Sequence, residues 1–268
     1  MYEILRNLSA GSFVLDLGCS AGSFTADSTR ASCVRLDRSI PRSSGQVTMA
    51  VEADASRLPF PDRSFACVVS NHSLEHFDDL TSALREIGRV IAPHGSLYVA
   101  VPDASTLSDR VYRWLSGGGG HVNPFTDGAA LASAIERDTG LKRVASRTLC
   151  SSLSCLHRAN SPRPIPKRLW LLGGGHPASL FAFAWLSRRL DRGFGWRTSV
   201  YGWAFYFGSL AEPVDARPWV NVCIRCGSGC GSQALLDRGL VRSVLGVRVF
   251  QCPSCDASNP FAADFELV

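Results

Sequence analysis

Apolar residues recur along this chain in two periods. "SFVLDLGCSAGSFT" (12–25) carries Val14, Leu15 and Leu17 in an unbroken run that ends in a glycine-bearing turn, the pattern of a strand buried on both faces. "SCVRLDRS" (32–39) predicts a second strand ending in Asp37, and "FACVVSN" (65–71) a further short one. In "LTSALREIGRVIAPHGSLYVAVP" (80–102) the spacing changes to that of an amphipathic helix, a Pro-His-Gly stop follows, and a strand closes the stretch. "FTDGAALASAIERDTGLKRVASRTLC" (125–150) reads as a helix, with Thr126 expected as its N-cap, and then a strand. "VYGWAFYFG" (200–208) is an aromatic strand, expected to be the last of the sheet. Strands alternating with helices predict an α/β fold with a doubly wound, mostly parallel sheet.

Between the last two strands lies an insertion, roughly 152–198. It holds a Pro-rich stretch, "NSPRPIPKRLW", and an apolar helix with a basic end, "PASLFAFAWLSRRLDRGFGW". Two readings stand for that helix: a lid or membrane-adjacent surface for an apolar or anionic acceptor, and a core helix covering one sheet face with solvated arginines. Beyond the sheet, "WVNVCIRCG" and "VRVFQCPSC" are each β-rich and run into a Cys-x-x-Cys pair. The chain is expected to divide into 1–211 and 212–268.

Composition narrows this picture. The 268 residues are 46% hydrophobic and 19% charged, enough for one substantial core with a small appendage and too apolar for wholesale disorder. The net charge of +5 is mildly basic and does not by itself indicate nucleic acid. The excess is local: residues 141–200 hold eleven Lys and Arg against Asp191 alone. The opening "MYEILRNLSAGSF" lacks a basic flank followed by an apolar run, so no signal peptide is expected and a cytoplasmic setting is, which disfavours stable disulfides among the ten cysteines. The best membrane candidate, 169–186, has about the minimum length but contains His176, Pro177 and three glycines, so a span is not expected.

The candidate chemistry of the first half is a nucleotide site. Gly18 and Gly22 allow a sharp turn and close approach of a ligand. Ser20 stands where the full dinucleotide fingerprint has its middle glycine. Asp37 lies about 20 residues past the turn, where an acid can bind ribose hydroxyls. Taken singly, Asp16 could cap the turn, Asp37 merely end a strand and Asp54 cap a helix.

In order, "VLDLGCSAG", Asp37, "ADASRLPFPDRSFACVVSNHSLEHF" and "REIGRVIAPHGSLYVAVP" resemble the class I S-adenosylmethionine-dependent methyltransferases of the broad small-molecule type. The resemblance covers roughly residues 10–150 and implies a Rossmann-like sheet of seven strands. It also implies roles. Asp16 and the turn through Gly18, Ser20 and Gly22 would surround the methionine part of the cofactor, and Asp37 would accept hydrogen bonds from the ribose. Asp54 would take the adenine amino group, with the Ala55 backbone beside it. Asn71 and His72 would close the site. A hydroxyl or amine acceptor needs a base near the methyl. His121, after the glycine run "SGGGG", is the leading candidate and His76 in "SLEHF" the second; His121 could instead cap or pack the following helix.

Cys223-x-x-Cys226 and Cys252-x-x-Cys255 stand 25 residues apart and resemble a zinc ribbon: four thiolates would hold a structural Zn²⁺ with no open position. Cys230 competes as a ligand, but Cys223 gives two equal knuckles. A redox pair or disulfides fit less well. Isolated Cys19, Cys33, Cys67, Cys150 and Cys155 read as small core residues.

The expected function is methyl transfer from S-adenosylmethionine to a small or lipid-linked metabolite, an oxygen acceptor being preferred. Two other readings stand beside it. One is an RNA or protein methyltransferase whose ribbon docks the macromolecule; the other is a cofactor-binding scaffold without catalysis, whose ribbon recruits a protein partner. Nucleic acid is not the expected partner, since no recognisable RNA-binding module is present.

Overall fold

Strand order explains where a ligand can bind in this protein. The computed structural model describes the chain except residues 21, 41–48, 117–119, 159–173, 213–218 and 263–268. The Pro-rich stretch of the insertion and most of the glycine run lie outside the described residues. The helices are α1 (Tyr2–Leu5), α2 (Leu80–Val90), α3 (Leu107–Ser116), α4 (Gly128–Thr139), α5 (Pro177–Phe194) and α6 (Ser232–Asp237). The strands are β1 (Phe13–Leu17), β2 (Ser32–Asp37), β3 (Met49–Glu52), β4 (Phe65–Asn71), β5 (Ile91–Pro102), β6 (Arg143–Cys150), β7 (Val200–Gly208), β8 (Trp219–Val222), β9 (Gly229–Gly231), β10 (Val241–Val244), β11 (Val247–Gln251) and β12 (Ser258–Pro260). Two bodies are resolved: residues 1–102, 120–146 and 203–216 form one, and 103–119, 147–202 and 217–268 the other.

The first body is built on strands in the order β3-β2-β1-β4-β5-β7-β6. β3, β2, β1, β4 and β5 pair in parallel. The order reverses beside β1, so the carboxyl ends of β1 and β4 open a crevice at the switch point. Leu15, Leu17, Val68, Leu97 and Val99 have no exposed surface, as burial on both faces requires. Each such side chain contributes about 1.5–3 kcal/mol of apolar burial.

Helix α2 buries Ala83, Leu84, Ile87 and Val90, one stripe at helical spacing, and Asp79 caps it by accepting from Ser82 N–H at 3.0 Å. It ends where the sequence predicts: β4–β5 pairing jumps from Phe65–Ile91 to Cys67–Ser96, so the Pro-His-Gly stop is looped out of the ladder. The cap of α4 differs from expectation. It is Asp127, not Thr126, whose carboxylate accepts from Ala129 and Ala130 N–H. A charged acceptor reaching two amide donors outcompetes the neighbouring hydroxyl.

In the second body, α5 buries Leu180, Ala184, Ser187, Arg188 and Asp191. Two of its polar residues are therefore structural rather than solvated. Asp191 accepts from the backbone N–H groups of Thr198 and Ser199 at 2.6 and 2.7 Å, and Arg188 donates to the Pro260 carbonyl. β8 pairs in parallel with the end of β6, Thr148 facing Trp219, and β9 pairs antiparallel with β8. Two short strands thus extend beyond the expected seven. β10, β11 and β12 form a separate antiparallel sheet. No helix among the described residues is long and apolar enough to cross a membrane.

Candidate functional site

A cavity of about 310 Å³ opens at the switch point. Its wall comes from the residues just after β1, β2, β3 and β4: Gly18 and Ser20, Asp37 and Arg38, Asp54 and Ala55, His72 and His76. Of the cofactor residues expected from sequence, Asp16, Gly22 and Asn71 are not on this wall.

Each has a visible reason. Asp16 is fully buried beneath the turn, where Oδ2 accepts from Ser23 N–H at 2.8 Å, while Oδ1 makes no hydrogen bond among the described residues. Burial pushes its pKa above the ordinary carboxylate value. Gly22 lies under Arg35, whose guanidinium would stand 2.5 Å from a β-carbon added there. Asn71 is the last residue of β4, and the wall begins one residue later, at His72.

The turn is held by its acids. Ser20 takes a positive φ of 45°, the left-handed conformation that glycine adopts freely. Its N–H donates to Asp37 Oδ2 at 2.7 Å, which ties the end of β2 to the turn after β1. Asp54 accepts from Ser56 N–H, Ser56 Oγ and Arg38 Nη2, each at 2.8 Å. The Ser56 amide, its hydroxyl and the Arg38 guanidinium, in that order, hold the Asp54 carboxyl down to about 2. Arg38 also reaches Asp78 at 2.6 Å and so spans the mouth of the cavity. The sequence carried no sign of that bridge, because its partners lie 16 and 40 residues away.

A second arrangement missed in the sequence supports the Asp54 loop from behind. Glu86 on α2 accepts from Leu58 N–H at 2.8 Å, and Arg89 donates to the carbonyls of Leu58 and Phe60 and to Asp62. One turn of helix thereby orients the whole 58–62 segment.

The histidines sit at one side of the cavity. His72 has φ 56°, and desolvation, then the nearby His121 and His76, push its pKa down to about 4, so it is neutral at pH 7. His76 Nδ1 lies 2.9 Å from the Gly120 carbonyl. A carbonyl only accepts, so Nδ1 carries a proton, which in the neutral ring leaves the lone pair on Nε2. His121 is not on the cavity wall; its ring meets His76 edge to face, with centroids 5.0 Å apart.

The cysteines gather in the second body. The sulfurs of Cys223, Cys226, Cys252 and Cys255 all lie within 4.8 Å of one another, and Cys230 stands outside the group. The pairs run crosswise, Cys223 to Cys255 and Cys226 to Cys252, each at 3.6 Å. The two knuckles have the same bonding: Gly227 N–H donates to the Cys223 carbonyl, and Asp256 N–H to the Cys252 carbonyl. Gly227 and Asp256 both take positive φ, 74° and 59°. Asn259, fully buried on β12, accepts from Ile224 N–H at 2.7 Å and points Nδ2 at Cys223 Sγ. Of the isolated cysteines, Cys19, Cys67 and Cys150 are buried and Cys33 is half-buried; the Cys155 side chain lies outside the described ones.

Comparison with known proteins agrees with this geometry. Residues 15–99 match the family described as "Methyltransferase domain". A malonyl-[acyl-carrier protein] O-methyltransferase of Halorhodospira halophila is 41% identical over 76 residues, 28% of this chain and 26% of that protein. A ubiquinone/menaquinone biosynthesis C-methyltransferase of Pasteurella multocida is 36% identical over 125 residues, 40% of this chain and 46% of that protein. The chain thus spans less than half the length of these two relatives. Among solved structures, a SAM-dependent methyltransferase from Archaeoglobus fulgidus superposes with a TM-score of 0.51 at 16% identity, covering 77% of this chain and 88% of that one, a likeness of fold. The order of the motifs, the parallel sheet with its crevice beside β1 and the match over residues 15–99 show that this part of the chain is a methyltransferase domain with the Rossmann-like fold of the class I S-adenosylmethionine-dependent methyltransferases.

Proposed function

We propose that the chain transfers a methyl group from S-adenosylmethionine to a small or lipid-linked acceptor, through an acceptor oxygen. The observation that carries this reading is the cavity at the switch point, walled by Gly18, Ser20, Asp37, Asp54 and Ala55 on one side and by His72 and His76 on the other. Asp37 receives the ribose hydroxyls and Asp54 the adenine amino group. Asp16, with its unpaired buried oxygen, supports the methionine end from below, together with Gly18, Ser20 and Gly22. His72 closes the site, one residue past Asn71 at the end of β4. When bound, the cofactor supplies an electrophilic methyl on a sulfonium. A neutral His72 avoids setting a second cation beside it.

With the cofactor bound, the acceptor oxygen would form the new bond to the methyl carbon while the sulfur–carbon bond gives its electron pair to sulfur, a neutral thioether being the leaving group. His76, on the wall with its Nε2 lone pair available, takes the hydroxyl proton. His121 orients it from behind. A lipid-linked acceptor is supported by α5 and the residues after it, where Leu186, Phe194 and Trp196 are exposed beside Arg189 and Arg192.

The cysteine cluster is read as a structural Zn²⁺ site. Four sulfurs about 2.3 Å from a tetrahedral zinc stand roughly 3.8 Å apart, and the two crosswise pairs are close to that separation at 3.6 Å. The site closes residues 219–262 into a module that offers a surface to a protein partner.

The test is calorimetry with S-adenosylmethionine, followed by incubation of the protein and labelled cofactor with a cell extract separated into small-molecule, lipid, RNA and protein fractions. Label in the first two fractions is expected. Label confined to RNA or protein would move the reading to a macromolecular acceptor, and binding without transfer would make the chain a scaffold. Failure to bind the cofactor would overturn the proposal.

A further inference from the structure

We propose that Glu75, His76 and His121 form a second metal site, separate from the cysteines, that holds one divalent transition-metal ion at the acceptor side of the cavity. Their donor atoms, one from each side chain, lie within 4.8 Å of one another. Two imidazoles and one carboxylate make a donor set suited to Zn²⁺, Mn²⁺, Fe²⁺ or Co²⁺, with further coordination positions left open.

The backbone locks the two contributing segments together. Glu75 and His76 lie in the short 3-10 helix Leu74–His76, and His121 follows the glycine run. The Glu75 carbonyl accepts from Val122 N–H at 2.8 Å and from Asn123 N–H at 2.9 Å. Asn123 Nδ2 donates to the carbonyls of Leu74 and Phe77 at 3.2 and 2.7 Å. Four hydrogen bonds thus fix His121 opposite the helix that carries Glu75 and His76, although His76 and His121 are 45 residues apart in sequence. A side-chain pair on free loops would not be held this way.

The other nitrogen of His76 is already engaged as a metal-bound histidine requires. Ligating imidazoles commonly donate their second N–H to a carboxylate or a backbone carbonyl. His76 Nδ1 does so to Gly120. Glu75 is 2% exposed, and its Oε1 lies 3.9 Å from His72 Nδ1, so the carboxylate is held in place beside the two histidines. Three donors around a tetrahedral ion at about 2.0–2.1 Å stand roughly 3.3 Å apart. Closing from within 4.8 Å therefore takes about an ångström or so of side-chain rotation, which the exposed His76 ring permits.

His76 lines the cavity, so an ion held there faces the space left for the acceptor. An acceptor oxygen bound to the ion would be a stronger acid and would lose its proton to solvent, so that the ion, which occupies His76 Nε2, takes the place of His76 as proton acceptor. The substrate class is accordingly one with a hydroxyl, enol or carboxylate oxygen able to coordinate. This role rests on the methyl transfer proposed above; the site itself does not.

Manganese distinguishes this site from the cysteines, because a hard cation does not displace zinc from four thiolates. The full-length protein with its cysteine site zinc-loaded is titrated with Mn²⁺, read by loss of the free-ion electron paramagnetic resonance signal, and separately with Co²⁺, read by visible absorption. One bound equivalent of either ion is expected, with affinity reduced more than about tenfold in E75Q and H121N, beyond the smaller end of outer-ligand effects. Calorimetry with S-adenosylmethionine on the same samples checks that both variants are folded, since neither residue lines the cavity. No binding of either ion by the wild-type protein, or equal binding by folded E75Q and H121N, overturns the site. Cofactor binding in that case leaves the methyltransferase reading standing.

Discussion

Gly18 approaches Ser73 so closely that a β-carbon on the glycine would lie 2.4 Å from Ser73 Cβ. Gly18 also has φ +67°, so two independent constraints exclude a side chain there. The contact joins the turn after β1 to the segment after β4, and Ser73 Oγ fastens it by donating to the Leu17 carbonyl at 2.9 Å. Gly18→Ala is expected to cost about 1–3 kcal/mol by overpacking and to weaken cofactor binding. The Ser73→Gly change in the same chain should restore part of the stability, a coupling that denaturant titration of the four proteins would measure.

Asp37 does two jobs with one carboxylate, holding Ser20 N–H and offering its remaining lone pairs to the cavity. Hydrogen bonds to a charged group contribute about 1.5–3 kcal/mol, so Asp37→Asn should weaken S-adenosylmethionine binding about 10- to 100-fold by calorimetry. Ser20→Gly tests the other partner: it relieves a positive φ and should leave stability equal or up to about 1 kcal/mol higher.

Asp54 should remain ionised far into acid. Its folded value, about 2, lies below the ordinary 3.8, so its stabilising contribution is complete above the unfolded value and is lost as pH falls from about 4 through 2. The side chain is 45% exposed, so solvent screening keeps the magnitude small. A carbon-detected titration of the Asp54 carboxyl should show its midpoint near 2, moving upward in Ser56→Ala. An unshifted midpoint in that variant would remove Ser56 as the cause.

Thiol chemistry should separate the cysteines into two classes. Burial pushes Cys19 and Cys67 up to about 12 and Cys33 to about 11, so little thiolate exists at pH 8. Iodoacetamide should leave these three unmodified in the native protein. Metal analysis of that protein should find one zinc held by cysteine, and a strong chelator should make Cys223, Cys226, Cys252 and Cys255 alkylate together, read by peptide mass spectrometry. Less than about 0.3 equivalents of zinc without chelator would contradict a tight structural site.

Much of this was legible in the chain because local pattern and long-range geometry agree there. An apolar run before a glycine turn has few ways to be anything but a central strand, and Asp37 and Asp54 fall on the cavity wall because they end or follow neighbouring strands. The Cys-x-x-Cys spacing identified the cluster for a similar reason: each knuckle is a local turn. What escaped depends on partners distant in sequence. Arg38 joins Asp54 and Asp78 only because the ends of β2 and β3 converge with the start of α2, and Asn259 reaches Ile224 from 35 residues away. Asp127 caps α4 where Thr126 is expected because both residue types cap well, and side-chain reach decides between them. β8 and β9, four and three residues long, are too short to show a period.

The pairing of β8 with the end of β6 bears on how the cysteine module can be handled. β8 leads straight into Cys223, so the first knuckle is rooted in a strand whose hydrogen-bonding partner is Thr148–Leu149, some seventy residues upstream. Arg188 anchors the far side by donating to Pro260. A peptide cut at residue 212 would leave with its metal ligands and without either of these supports. The module is therefore no detachable bead: a fragment swap or grafted ribbon that ignores residues 147–150 and α5 transfers the ligands and loses the mould that shapes them.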